Sequence, residues 1–139
     1  MKAKVVIHTD GGSRGNPGPA GAGAVVYENG REVATVSKFL GVQTNNWAEY
    51  EALILALEAA RRALDGLEHK EVLVNLDSEL IVRQMNGIYR VKDAELKKQY
   101  AQVRALVQEA FPKITFAHVR RELNGRADEL ANHAMDNAA

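Results

Sequence analysis

The apolar residues of this chain change their spacing at Asn46, and that change restricts the fold more than any single motif does. Before it they gather in short β-branched runs; after it they recur at three and four residues. Ala3 to Thr9 reads as a strand that stops at Asp10-Gly11-Gly12, and Gly11 to Gly21, with Pro17 and Pro19, reads as a loop. Ala22 to Tyr27 and Glu32 to Leu40 read as two strands around Glu28-Asn29-Gly30-Arg31, where Asn29-Gly30 tolerates the positive φ of a tight hairpin. Beyond Asn46, Tyr50, Leu53, Leu57, Ala60 and Leu64 form the stripe of an amphipathic helix ending near Asp65-Gly66. A strand over Glu71 to Leu76, a short helix over Ser78 to Met85 and a longer helix opened by Asp93 follow. Ile114 to Val119 is a further strand, and Asn124 to about Asp136 a last helix.

This order predicts an α/β domain with a five-stranded mixed sheet: a three-strand antiparallel meander plus two parallel strands, with helices on both faces. Right-handed crossovers make the first, fourth and fifth strands parallel neighbours, and their carboxyl ends the ligand-binding edge. The chain has 139 residues and no repeat or linker, so residues 1–139 read as a single domain.

Eighteen basic residues balance eighteen acidic ones, which argues against a strongly basic protein that coats nucleic acid. The absence of cysteine excludes a disulfide framework, a thiolate zinc site and a cysteine nucleophile. Any metal must then be held by oxygen or imidazole ligands, a set that favours magnesium, calcium or manganese. The longest apolar run near the amino terminus is Val5-Val6-Ile7, too short for a secretory or membrane segment, so a cytoplasmic protein without an anchor is expected.

Four carboxylates fall at the expected ligand edge. Asp10 and Asp77 follow the first and fourth strands, Glu49 lies in the first turn of the helix after Asn46, and Asp128 in the first turn of the last helix. Each has an ordinary alternative: Asp10 can open a turn, Glu49 can close a capping box with Asn46, Asp77 can cap the helix behind it, and Asp128 suits a helix dipole. Together they repel by more than a capping bond of about 1 kcal/mol recovers, so stability alone would disperse them. Such a cluster suits magnesium, two ions about 4 Å apart being the arrangement that cleaves phosphodiesters. The glycine-rich run matches neither a Walker loop nor a dinucleotide fingerprint, leaving a tight turn or close approach to a sugar-phosphate chain.

Asp10-Gly11-Gly12-Ser13-Arg14-Gly15-Asn16-Pro17-Gly18-Pro19, Thr44-Asn45-Asn46-x-x-Glu49, Leu76-Asp77-Ser78 and Asn124-x-x-x-Asp128-Glu129-Leu130-Ala131 together resemble ribonuclease H, type 1. The blocks stand in that family's order and span nearly the whole chain. The resemblance implies an endonuclease that cuts the RNA strand of RNA–DNA hybrids and leaves 3′-hydroxyl and 5′-phosphate ends. It implies that Asp10, Glu49, Asp77 and Asp128 are the catalytic acids and hold two Mg2+ ions, with Mn2+ as a substitute. It further implies hybrid contacts from Gly11, Gly12, Ser13, Asn16, Asn45 and Asn46 in the minor groove, where ribose 2′-hydroxyls are reachable, and from Thr44 at a DNA-strand phosphate. A monomer is expected.

Three departures from the family pattern stand out. Asn86-Gly87-Ile88-Tyr89-Arg90-Val91-Lys92 replaces the long basic handle of many members, so the chain resembles the handle-lacking, archaeal and actinobacterial-like branch. Phosphate attraction then falls to Arg83, Arg90, Lys92, Lys97 and Lys98. Glu79 stands where a glutamine would donate to the minor groove, which a glutamate cannot do. The loop Arg120-Arg121-Glu122-Leu123 lacks the family's mobile histidine; His118 reads as a strand residue beside Ile114 and Phe116, and Arg120 or Arg121 as the group near the scissile phosphate. The competing functions are a DNA-processing nuclease of the same superfamily and a non-catalytic hybrid-binding module.

Overall fold

A computed structural model describes residues 4–138. Strands β1 (Lys4–Ser13), β2 (Gly18–Glu28) and β3 (Arg31–Gln43) form the antiparallel meander, with Asn29 and Gly30 at φ 50° and 83° in its hairpin. Helix α1 (Asn45–Ala63) leads to β4 (Glu71–Leu76), then α2 (Glu79–Met85), α3 (Ala94–Ala110), β5 (Ile114–His118) and α4 (Gly125–Asp136). The sheet order is β3-β2-β1-β4-β5, and β1, β4 and β5 are parallel. The mixed five-stranded sheet is as expected. Ala3, placed in the first strand from sequence, lies outside the described residues.

The principal core fills one face of the sheet. Val5, Ile7, Ala24 and Val26 point into it from β1 and β2 and meet Tyr50, Leu53, Leu57 and Ala60 of α1, all fully buried. Burying each of the larger side chains contributes about 1.5–3 kcal/mol before the entropy of ordering is deducted. On the opposite face, Ala127, Ala131 and Ala134 of α4 press on β2.

The strands run further than the sequence suggested. β1 continues through Gly11, Gly12 and Ser13, paired with Ala22, Gly21 and Ala20, so Asp10 lies within the strand and the glycine-rich segment is largely sheet. The reason is steric. A Cβ on Gly11 would stand 2.1 Å from the Ala48 carbonyl oxygen, and one on Gly23 would stand 2.1 Å from that of Ala127. Glycine here lets α1 and α4 approach opposite faces of the sheet closely, a packing demand that sequence spacing does not display.

Helix starts differ in the same local way. Thr44 caps α1, its Oγ1 accepting from the Trp47 amide at 3.2 Å, so Glu49 stands beyond the first turn and closes no capping box with Asn46. Ser78, not Asp77, caps α2, and Asp93 caps α3 through bonds of 2.9 and 3.0 Å from Glu95 and Leu96.

Candidate active site

Two parallel strands and the helix packed against the first of them bring the carboxylates together. Asp10 comes from β1, Asp77 from the bend after β4, and Glu49 from α1, which the Gly11–Ala48 contact holds against β1. Carboxylate oxygens of Asp10, Glu49 and Asp77 all lie within 4.8 Å of one another. Asp128, in the first turn of α4, borders a cavity of about 160 Å3 together with Asp10 and Glu49, but it lies outside that three-residue group.

Burial, then the charges of Asp77 and Asp128, push the Asp10 carboxyl up to about 8, against some relief from Arg121. Burial, reinforced by Asp10 and Asp77, holds the Glu49 carboxyl well above the usual carboxylate range. Asp77 is raised too, by burial first, although Arg121 and a hydrogen bond from Asn124 oppose the shift. Glu49 Oε1 accepts from the Gly11 amide at 3.4 Å, whereas its Oε2 is buried with no hydrogen-bond partner among the described residues. An orphaned carboxylate oxygen facing two other carboxylates calls for a cation. The all-oxygen donor set fits a hard divalent ion.

The other sequence-predicted residues fall into two groups around this cavity. Gly11, Gly12, Ser13 and Asn45 line it. Asn45 also accepts from the Ser13 amide at 3.2 Å and donates its own amide to Asn16 Oδ1 at 3.0 Å, which ties the β1–β2 turn to the start of α1. Thr44, Asn46 and Asn16 border a separate depression with Trp47, Asp93 and Glu95. Trp47 is half-buried against the core, its carbonyl accepting from Gln99 at 3.0 Å.

Among the candidate phosphate-attracting cations, Arg83 pairs with Glu79 at 2.8 Å and Lys98 with Glu95 at 3.4 Å. Glu79 is therefore engaged with its own helix. Arg90, Lys92 and Lys97 remain as exposed positive charge near the replaced handle. His118 ends β5, as the strand reading expected, but it is exposed and stands outside the acid cavity. Arg121 lines both hollows that border the acids, and its charge acts on Asp10 and Asp77. Arg14 lines the same cavity, ion-paired with Asp136 at 2.6 Å and bonded to Asn132 at 3.2 Å; the sequence marks no separate role for it.

The family model described as reverse transcriptase-like matches residues 8–134. A bifunctional protein of Mycobacterium tuberculosis is 47% identical over 138 residues, covering 98% of this chain but 36% of that protein. The chain thus spans about a third of the length of that relative. The ribonuclease HI of Halobacterium salinarum is 41% identical over 137 residues, 97% of this chain and 66% of that protein. A ribonuclease H1 isolated from compost by a metagenomic approach has a structure matching with a TM-score of 0.91 at 51% identity, over 96% of each chain. Its structure in complex with an RNA/DNA hybrid matches with a TM-score of 0.91 at 50% identity, over 95% of this chain and 96% of that one.

Proposed function

The chain belongs to the ribonuclease H family, type 1, in its handle-lacking branch, and on that premise we propose that it is a metal-dependent endoribonuclease hydrolysing the RNA strand of RNA–DNA hybrids. The observation that carries this reading is the meeting of Asp10, Glu49 and Asp77 from three separate elements around an orphaned Glu49 oxygen. The likeness to a compost ribonuclease H1 solved with an RNA/DNA hybrid supports a hybrid as the substrate.

Asp10, Glu49 and Asp77 would hold Mg2+, with Asp128 completing the set from the first turn of α4. A pair of such ions, when bound, supplies charge compensation at the phosphate and a water acidic enough to attack it. Mn2+ matches the same oxygen donors and should substitute. Arg121, exposed on the wall of the cavity, meets the scissile phosphate and balances its charge. Ser13, Gly12 and Asn45 on the adjoining wall present backbone and amide groups to the minor groove, where a 2′-hydroxyl separates RNA from DNA. Around the neighbouring depression, Asn16 and Asn46 would add contacts in the minor groove and Thr44 a contact to a DNA-strand phosphate. The cleaved bond leaves 3′-hydroxyl and 5′-phosphate ends.

The test is cleavage of matched RNA–DNA, RNA–RNA and DNA–DNA duplexes with Mg2+ and then in excess chelator. The hybrid should be cut and the homoduplexes left intact. Chelation should abolish cutting, Mg2+ or Mn2+ should restore it, and Ca2+, with its looser coordination, should restore little. Full activity in chelator would remove the metal from the reaction; hybrid binding without cleavage would make the protein a binding module.

A further inference from the structure

A polar layer lies directly beneath the carboxylates. His8 and Asn75 are register partners across β1 and β4, and each stands two residues before an acid, Asp10 or Asp77. His8 Nδ1 lies 3.1 Å from Asn124 Oδ1, and His8 Nε2 lies 3.5 Å from Asn75 Nδ2. The His8 ring stands edge-on to Tyr27, with centroids 6.1 Å apart. Asn124 is 1% exposed, and its Nδ2 donates to the Thr9 carbonyl at 2.8 Å.

These contacts have one consistent direction. A carbonyl only accepts, so the Thr9 oxygen requires the NH2 side of Asn124 to face it and turns Oδ1 towards His8. His8 must then carry a hydrogen on Nδ1, which leaves Nε2 to accept from Asn75. The orientation matters because the Asn124 side chain ties the strand that carries Asp10 to the start of the helix that carries Asp128. Its Nδ2 holds the strand one residue before Asp10, and its backbone carbonyl accepts the Asp128 amide at 3.1 Å at the start of α4. It makes no side-chain bond to cap its own helix.

We propose that His8 is a positioning residue whose Nδ1–H fixes the orientation of Asn124 and, through it, the placement of Asp10 relative to Asp128. The catalytic part of this inference rests on the reading of those acids given above; the tautomer does not. Long-range proton–nitrogen NMR of the metal-free protein, at alkaline pH where free imidazole is neutral, should show His8 protonated on Nδ1 and bare on Nε2. The opposite tautomer overturns the proposal whether or not the protein is a nuclease.

Two variants carry the second arm. His8→Phe keeps a ring of similar shape but no donor, and it should lower kcat between about ten- and a hundredfold while KM for the hybrid changes less than about twofold. The rise in melting temperature on adding Mn2+ should shrink in the same variant. His8→Asn places an NH2 where Nδ1 stands and should restore both readouts to within about twofold. If His8→Phe keeps the parent kcat and Mn2+ response, or if His8→Asn fails to recover them while folding normally, His8 is a filler of the sheet and positions nothing.

Discussion

Helices α1 and α4 each carry a carboxylate to the same end of the sheet, and beyond a shared kind of backbone contact they are anchored there by different means. In α1 the anchoring is backbone on backbone. Gly11 admits the Ala48 carbonyl, Thr44 caps the first turn, and Glu49 arrives 4% exposed, with the Gly11 amide on one oxygen. In α4 a backbone contact of the same kind, Gly23 admitting the Ala127 carbonyl, is joined by a side-chain tie: Asn124 leaves its own helix uncapped and reaches into β1. Close-packed backbone has few alternative arrangements, whereas an amide can turn over if its partners change. Asp128 thus stands beside an adjustable tie that Glu49 lacks, so the two acids should respond differently to perturbation.

The strongest way to break the contrast is Gly11→Ala. The new methyl group has nowhere to go except into the α1 backbone, so the helix must move away from the strand. A loss of about 3 kcal/mol or more is expected, on the order of ten degrees in melting temperature, together with loss of cleavage. A variant melting within about two degrees of the parent would show that α1 is not held by this contact.

Asp10→Asn perturbs the cluster without touching either anchor. Cleavage should fall by orders of magnitude while the fold survives. In chelator the variant should melt at or slightly above the parent's temperature, because a repelling charge is gone; Mg2+ should stabilise it less than the parent. Melting several degrees below the parent in chelator would make Asp10 a structural residue.

A smaller effect should appear in the pH dependence of the metal-free parent. The Asp10 carboxyl is raised from its ordinary 3.8 to about 8, so between those values the folded state binds more protons than the unfolded chain. Stability should therefore be greatest at the acid end of that window as far as this cluster is concerned, and decline as pH rises through it. Glu49 and Asp77, raised as well, add in the same direction. Denaturant melts across this range, in chelator, should slope downward for the parent and less steeply for Asp10→Asn. Equal slopes would mean that Asp10 does not feel its neighbours.

Thr44→Ala should be mildest. Losing the cap bond to Trp47 costs about 1 kcal/mol, and Glu49, held further along by the Gly11 contact, should keep its place. A kcat reduced far beyond what that loss of stability explains would mean that the cap, not the backbone contact, locates Glu49.

The three acids that meet could be placed from sequence because each stands beside an element boundary that propensity marks: a β-branched run ending near Asp10, another ending at Leu76, and a helical period beginning near Asn46. The Asn29-Gly30 hairpin was readable for the same local reason. What escaped depends on neighbours distant in the chain. Gly11 and Gly23 look like loop residues until the helices they admit are known, and so β1 was cut short at Asp10. Asn124 looks like an N-cap until its amide is seen to bond Thr9, and His8 looks like one more residue of a strand. Neither leaves a periodic trace, because a hydrogen bond across the fold imposes no spacing along the sequence.

The bonds that join β1 to Asn124 also set an order of events. Thr9 and Asn124 are 115 positions apart, whereas the β1–β2–β3 meander closes through short turns. Contacts that enclose so long a loop carry a large closure entropy and are disfavoured until most of the intervening chain has collapsed. The meander can form early, with Asp10 already on its strand, but the fourth carboxylate joins only when the last helix docks. The complete acid set is in this sense a report that folding has finished: a partly folded chain holds pieces of the site without holding the site.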